Sequence, residues 1–193
     1  MKPIVNKKYL MLYKETARNK VIEIFFKYTE KEFSLSDLAK ESGVAKANIG
    51  NILNEFNESG LITIEKLSKI WRIKANQENW FFVKGKIVYN LNFIYQSGIV
   101  KFLADYFNNP KSIILFGSFR KGEDISSSDI DIAIESDSIK EYETIGLREL
   151  SEFEKVIGKK IQLHLFNREN VDINLFNNIA NGIVLLGFLE VKK

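Results

Sequence analysis

Between about Asn19 and Ala75 the apolar positions first recur at helical spacing and then alternate. Val21, Ile22, Ile24, Phe25 and Phe26 crowd one helix. Ser34 followed by Asp37 has the spacing of a capping box and predicts a short helix over SDLAKESG, closed by Gly43. In the next segment Ile49, Ile52, Leu53 and Phe56 recur at i, i+3, i+4 and i+7, which places one buried stripe on a third helix capped by Gly60. LITIEK and IWRIK then alternate with period two on either side of a turn around Leu67 and Ser68, the pattern of a β-hairpin.

Residues 77–108 read as a helical linking region packed on the C-terminal domain, because NWFFVKGKIVYNLNFIYQSG is too apolar for a free tether. Ser97 is suited to cap a further helix over GIVKFLADYF. SIILF, residues 112–116, is wholly apolar, as a buried strand would be. A helix is expected from about Ser138 to Ile157, followed by a strand over KKIQLHLF, residues 159–166. That strand turns Ile161, Leu163 and Leu165 inward and Gln162 and His164 outward. The whole is an α+β protein with domains at 1–76 and 109–193, joined by 77–108.

Composition narrows the class. The 193 residues are 45% hydrophobic with 15 Phe, 7 Tyr and 2 Pro, which excludes fibrous and disordered chains. With Cys at 0, disulfides, cysteine-ligated zinc and thiol nucleophiles are excluded, and a reducing compartment is expected. No apolar run reaches the roughly 18 residues of a membrane span, and MKPIVNKKYLMLYKE lacks the apolar core of a leader, so the expectation is a cytoplasmic protein with no membrane partner. Residues 1–80 hold 14 Lys+Arg against 10 Asp+Glu, and residues 81–193 hold 14 against 15. A basic part and a near-neutral part suggest two jobs.

The chemistry is concentrated in SIILFGSFRKGEDISSSDIDIAIE, residues 112–135. A strand that runs into Gly117 and Ser118 suits a phosphate, since glycine lets the backbone come close and the hydroxyl and amides donate hydrogen bonds. Arg120 and Lys121 add cations beside it. In a strand, Asp129 and Asp131 share a face about 7 Å apart, with Ile130, Ile132 and Ile134 directed into a core. Two carboxylates beside a phosphate cradle are what a Mg²⁺ ion bridging nucleotide phosphates requires. Glu135 shares their face but lies about 13 Å from Asp131 by strand rise.

These segments carry two resemblances. LSDLAKESGVAKANIGNILNEFNESGLI and the hairpin resemble the winged helix-turn-helix domains of transcription regulators. That resemblance implies a third helix in the major groove of double-stranded DNA, with Lys46, Asn48, Asn51 and Asn54 toward bases or phosphates, and Lys66, Lys69 and Arg72 toward the backbone from the hairpin. Such domains also serve as docking or dimerisation modules. Gly117-Ser118, ten residues, then Asp129-x-Asp131 resembles the signature of the nucleotidyltransferase superfamily related to DNA polymerase β, especially its minimal branch. This implies a small mixed sheet flanked by helices, a loop holding the triphosphate of an NTP, ATP being the expectation, and Mg²⁺ on Asp129 and Asp131. The tail LFNNIANGIVLLGFLEV resembles the closing helix and strand of that branch, and the whole chain looks like archaeal-type fusions of the two domains.

Catalytic members of that family present a third carboxylate on the next strand, and here that face carries Gln162 and His164. An amide oxygen is a weak metal ligand, whereas His164, the only histidine, has the chemistry of a general base or of an ordinary packing residue. Three readings stay open. One is transfer of a nucleoside monophosphate to an acceptor hydroxyl, which in some members of the branch belongs to a toxin partner. The second is a DNA-binding regulator whose second domain senses nucleotide without turnover. The third is a homodimeric docking protein that binds neither Mg²⁺ nor nucleotide.

Overall fold

The computed structural model describes residues 16–67 and 70–191. Among them, helices and two sheets form an α+β architecture in two units, divided between Tyr89 and Asn90. No helix among the described residues is long and apolar enough to cross a membrane.

In the first unit, α1 (Ala17–Lys27) begins where the Thr16 hydroxyl accepts from the Asn19 N–H. The expected capping box opens α2 (Leu35–Ser42): Ser34 Oγ accepts from the Asp37 N–H at 3.2 Å, and the Asp37 carboxylate accepts from the Ser34 N–H at 3.0 Å. Gly43 then ends α2 in the left-handed region. After α3 (Lys46–Glu58), Gly60 takes φ +73° and the Leu61 N–H returns to the Phe56 carbonyl, so the glycine sits one place beyond the cap residue, Ser59. β1 (Ile62–Leu67) and β2 (Ile70–Ala75) pair antiparallel, and Phe33 bridges Ile73, which ties the start of α2 to the hairpin. Ser68, half of the expected turn, lies outside the described residues. Phe25, Leu38, Ile49, Leu53, Phe56 and Ile73 form the shared core, joined by Phe82 of α4 (Trp80–Gln96). Three helices and a hairpin around one core form the expected winged helix.

The second unit is built on a five-stranded mixed sheet. Its strands are β3 (Ser112–Phe116), β4 (Ile130–Glu135), β5 (Glu143–Ile145), β6 (Ile161–Phe166) and β7 (Ile183–Gly187), in the order β5-β6-β4-β3-β7. β4 and β6 are parallel and the other pairs antiparallel. Ile113, Leu115, Ile130, Ile132, Ile134, Ile161, Leu163 and Leu165 bury one face against Phe93 and Ile94 of α4, α5 (Ile99–Tyr106) and α7 (Ser151–Ile157). On the other face Ile114, Phe116, Ala133 and Phe166 pack with Ile179 of α8 (Ile173–Ala180). That second face carries the polar residues of interest.

Two expectations are corrected. Ser97 is not the cap of α5. Gly98 holds that position at φ +84°, where the chain turns sharply between α4 and α5, and Ser97 Oγ accepts from the Ile99 N–H at 3.4 Å. The helix expected over Ser138–Ile157 exists only as α7, preceded by a 3-10 turn at Arg148–Leu150. Glu143–Ile145 pair with Leu165–Leu163 of β6 instead. The sheet offers an open edge whose backbone groups need partners, and β-branched Thr144 and Ile145 followed by Gly146 give little resistance to extension.

Candidate functional site

β3 ends at Phe116, and the chain turns at once into α6 (Gly117–Lys121). Phe119 is fully buried and anchors that turn in the core, while Gly122, left-handed at φ +73°, ends it. The Phe119 carbonyl accepts from Asn90 Nδ2 at 2.8 Å, and the same amide donates to Asp124 Oδ1 at 2.9 Å. Asp124 Oδ2 pairs with Lys159 Nζ at 3.1 Å, with both side chains almost wholly buried. The ammonium also meets the Ile125 carbonyl. A buried ion pair of this kind costs desolvation, and it ties the loop between α6 and β4 to the start of β6.

Gly117 sits against Asp131. Its φ is +73°, and a Cβ built there would stand 3.1 Å from Cγ of Asp131 and collide with Oδ2. Both the backbone angle and the space demand glycine. Asp131 lies opposite Phe116 on β3 and Gln162 on β6. Its other oxygen, Oδ1, is 3.2 Å from His164 Nε2. Asp129 is exposed and stands one residue before β4, where the Ile130 N–H already bonds to the Lys160 carbonyl. Asp129 and Gln162 both line an open cleft of about 560 Å³, together with Gly146, Arg148, Ser151 and Lys160.

Gly117, Asp131, Gln162 and His164 are thus brought together around the ends of three neighbouring strands. Ser118 and Arg120 are half-buried and Lys121 exposed on the adjoining turn. Glu135 is buried and bonded by Ser112 Oγ at 2.8 Å, a structural role away from the aspartates. Asp129 and Asp131 supply hard anionic oxygens of the type Mg²⁺ accepts. Among the described residues no three His, Asp or Glu side chains converge as a metal cage.

Sequence reasoning missed Asn90, Asp124, Lys159 and Tyr142. Asp124 and Lys159 look like ordinary solvated charges in the chain, and only burial reveals them. Tyr142, which bonds His164 Nδ1 at 2.8 Å, falls in the segment expected to be helical.

On the first unit, Lys46, Asn48, Asn51 and Asn54 are all exposed on α3, opposite the buried Ile49, Leu53 and Phe56. Lys46 Nζ donates to Ser36 Oγ at 2.9 Å. Glu55, an acidic neighbour on that helix, is paired by Arg18. On the hairpin, Lys66 Nζ lies 4.4 Å from the Trp71 ring centroid. Arg72 is engaged by Glu32 at 2.7 Å and by Glu65 at 3.5 Å, and the Glu32 hydrogen bond raises its pKa further. Those two carboxylates partly offset its charge. Lys69 lies outside the described residues.

Residues 97–178 match the family model for the nucleotidyltransferase domain, which gives the fold of the second unit its family likeness. No curated protein matches the chain. Among solved structures, the chain is similar to Bordetella bronchiseptica BpsR, whose DNA binding is regulated by 6-hydroxynicotinic acid, at 12% identity over 54% of this chain and 83% of that one, with TM-score 0.34. It is also similar to a MarR family protein from Bacillus stearothermophilus, at 14% identity over 53% and 77%, with TM-score 0.33.

Proposed function

We propose that the second unit binds an NTP with Mg²⁺ through Gly117, Ser118, Asp129 and Asp131, and that the winged helix contacts double-stranded DNA through the exposed face of α3. The observation that carries the nucleotide reading is the close approach of Gly117 to Asp131. A phosphate received by the Gly117-Ser118 turn lies beside the carboxylate best placed to share a cation with it. Ser118 Oγ and the turn's amides donate to phosphate oxygens, and Arg120 and Lys121 offset their charge. Asp129 and Asp131 orient the cation, which when bound withdraws charge from the triphosphate.

Transfer needs one further act. An acceptor hydroxyl would attack the α-phosphorus, forming one P–O bond as the bond to the β-phosphate oxygen breaks; pyrophosphate carries away that electron pair and the hydroxyl proton passes to solvent. The cleft beside Asp129 and Gln162 is the natural place for that acceptor, whose chemistry is a hydroxyl on a protein partner or nucleic acid. Gln162, directly across from Asp131, offers neither a base nor a negative ligand. This favours a second reading, in which nucleotide occupancy tunes DNA binding and turnover is slow or absent.

The test is calorimetric titration of the full chain with each NTP, with and without Mg²⁺, alongside Asp131→Asn. Mg²⁺-dependent binding lost in the variant supports the site. Equal affinity in both proteins, or no binding at all, overturns it.

A further inference from the structure

The polar network behind Asp131 runs through three residues. His164 Nε2 is 3.2 Å from Asp131 Oδ1, His164 Nδ1 is 2.8 Å from the Tyr142 hydroxyl, and that hydroxyl is 2.8 Å from Thr144 Oγ1. A carboxylate that accepts from the ring would place the hydrogen on Nε2 and leave Nδ1 to accept from the Tyr142 hydroxyl, whose oxygen would then accept from Thr144. The ring is also clamped by packing: it lies edge-on to Phe116, with centroids 4.8 Å apart, and stacks beside Tyr142. His164 is 9% exposed.

This arrangement exists because β5 forms. Thr144 pairs with His164 across β5 and β6, and Ala133 pairs with His164 across β4 and β6, leaving room over a methyl group for the ring to reach Asp131. Oδ1 lies 3.2 Å from His164 Nε2, and Oδ2 fills the space that a Cβ at Gly117 would need.

We propose that Tyr142 is a positioning residue: by donating to His164 Nδ1 it keeps the ring in the Nε2–H tautomer, which holds Asp131 in the orientation that receives the cation of a Mg–NTP complex. The proposal rests on the nucleotide reading above, but the tautomer is measurable without nucleotide. Both nitrogens of His164 are engaged, so the ring acts through Asp131 and takes no proton from an acceptor. Outer partners of metal ligands commonly change metal affinity by about 10- to 100-fold when removed.

Because His164 is the only histidine, full-length protein labelled with ¹⁵N-histidine gives one imidazole pattern in a long-range ¹H–¹⁵N spectrum. Recorded at about pH 8.5, it should show the Nε2–H tautomer alone. Tyr142→Phe, which removes one oxygen and keeps the ring, should mix the tautomers and weaken Mg²⁺-dependent NTP binding about tenfold. In a His164→Gln background, where an amide N–H can face Asp131 without tautomer control, Tyr142→Phe should change affinity less than twofold. An Nδ1–H tautomer in the native protein, or an unchanged pattern and affinity in Tyr142→Phe, overturns the proposal. So does an equal loss on Tyr142→Phe in both backgrounds, which marks a packing role. Absence of Mg–NTP binding by the native protein, with the expected tautomer present, overturns the nucleotide reading and the positioning role built on it, and leaves only the hydrogen-bond assignment standing.

Discussion

Gly117 and Asp131 occupy each other's space: the glycine has no side chain where the carboxylate of the neighbouring strand lies, and a Cβ there would come within 3.3 Å of the Asp131 Cβ and closer still to Oδ2. Gly117→Ala must therefore displace either the turn or the aspartate, and its φ of +73° adds backbone strain of about 1 kcal/mol or more. The expected result is loss of Mg²⁺-dependent NTP binding with a folded protein, measured by calorimetry and circular dichroism. Native affinity in this variant would detach Gly117 from the phosphate site.

Asp129 and Asp131 should differ in what their loss does to the protein. Asp129 is exposed and Asp131 is part of the His164 network, so Asp129→Asn should leave thermal stability unchanged, whereas Asp131→Asn should lower it slightly. Both should abolish the Mg²⁺ dependence of NTP binding. If Asp129→Asn keeps that dependence, the cation is held by Asp131 alone.

Gln162→Asp places a carboxylate directly across from Asp131. If the amide is what limits turnover, transfer of labelled nucleotide should rise about 10²- to 10⁴-fold, the usual worth of a positioned general base. Brisk transfer by the native protein with no gain in the variant would show that Gln162 limits nothing.

For the winged helix, Asn48→Ala or Asn51→Ala should relax sequence preference on DNA, while Lys66→Ala should weaken binding to all sequences and lower the salt slope by about 1. Arg72→Ala should matter less than Lys66→Ala, because Glu32 and Glu65 already offset that guanidinium. Anisotropy at several salt concentrations reads both effects. Absence of binding to any duplex at low salt would leave α3 as a docking face.

The cap of α2 gives a stability prediction. Ser34→Ala should cost about 1 kcal/mol by removing the acceptor for the Asp37 N–H. Hydrogen bonds from the Ser34 hydroxyl and N–H hold the Asp37 carboxyl below its usual pKa. A depressed carboxyl contributes stability that is fully present above its unfolded-state value of about 4 and is lost as pH falls through the lowered folded value. Native protein should thus lose more stability than Ser34→Ala between about pH 5 and 2, in urea melts followed by circular dichroism. Parallel curves would show that the cap contributes nothing through Asp37.

Local features were legible because neighbours in the chain decide them. Ser34 with Asp37, Gly43, the stripe of Ile49, Leu53 and Phe56, and the alternation at Ile130, Ile132 and Ile134 each satisfy a hydrogen-bond or burial requirement within a few residues. The spacing and strand character pointed to Gly117 and Asp131, which the structure sets against each other, and the alternation of β6 pointed to Gln162, which pairs with Asp131. The fate of residues 138–157 was not legible, since the open sheet edge that draws Glu143–Ile145 into a strand exists only once β6 is assembled. Tyr142 therefore reached His164 by tertiary structure alone. The same holds for Asp124 and Lys159, far apart in the chain and unremarkable as charges until folding buries both and leaves each as the other's partner.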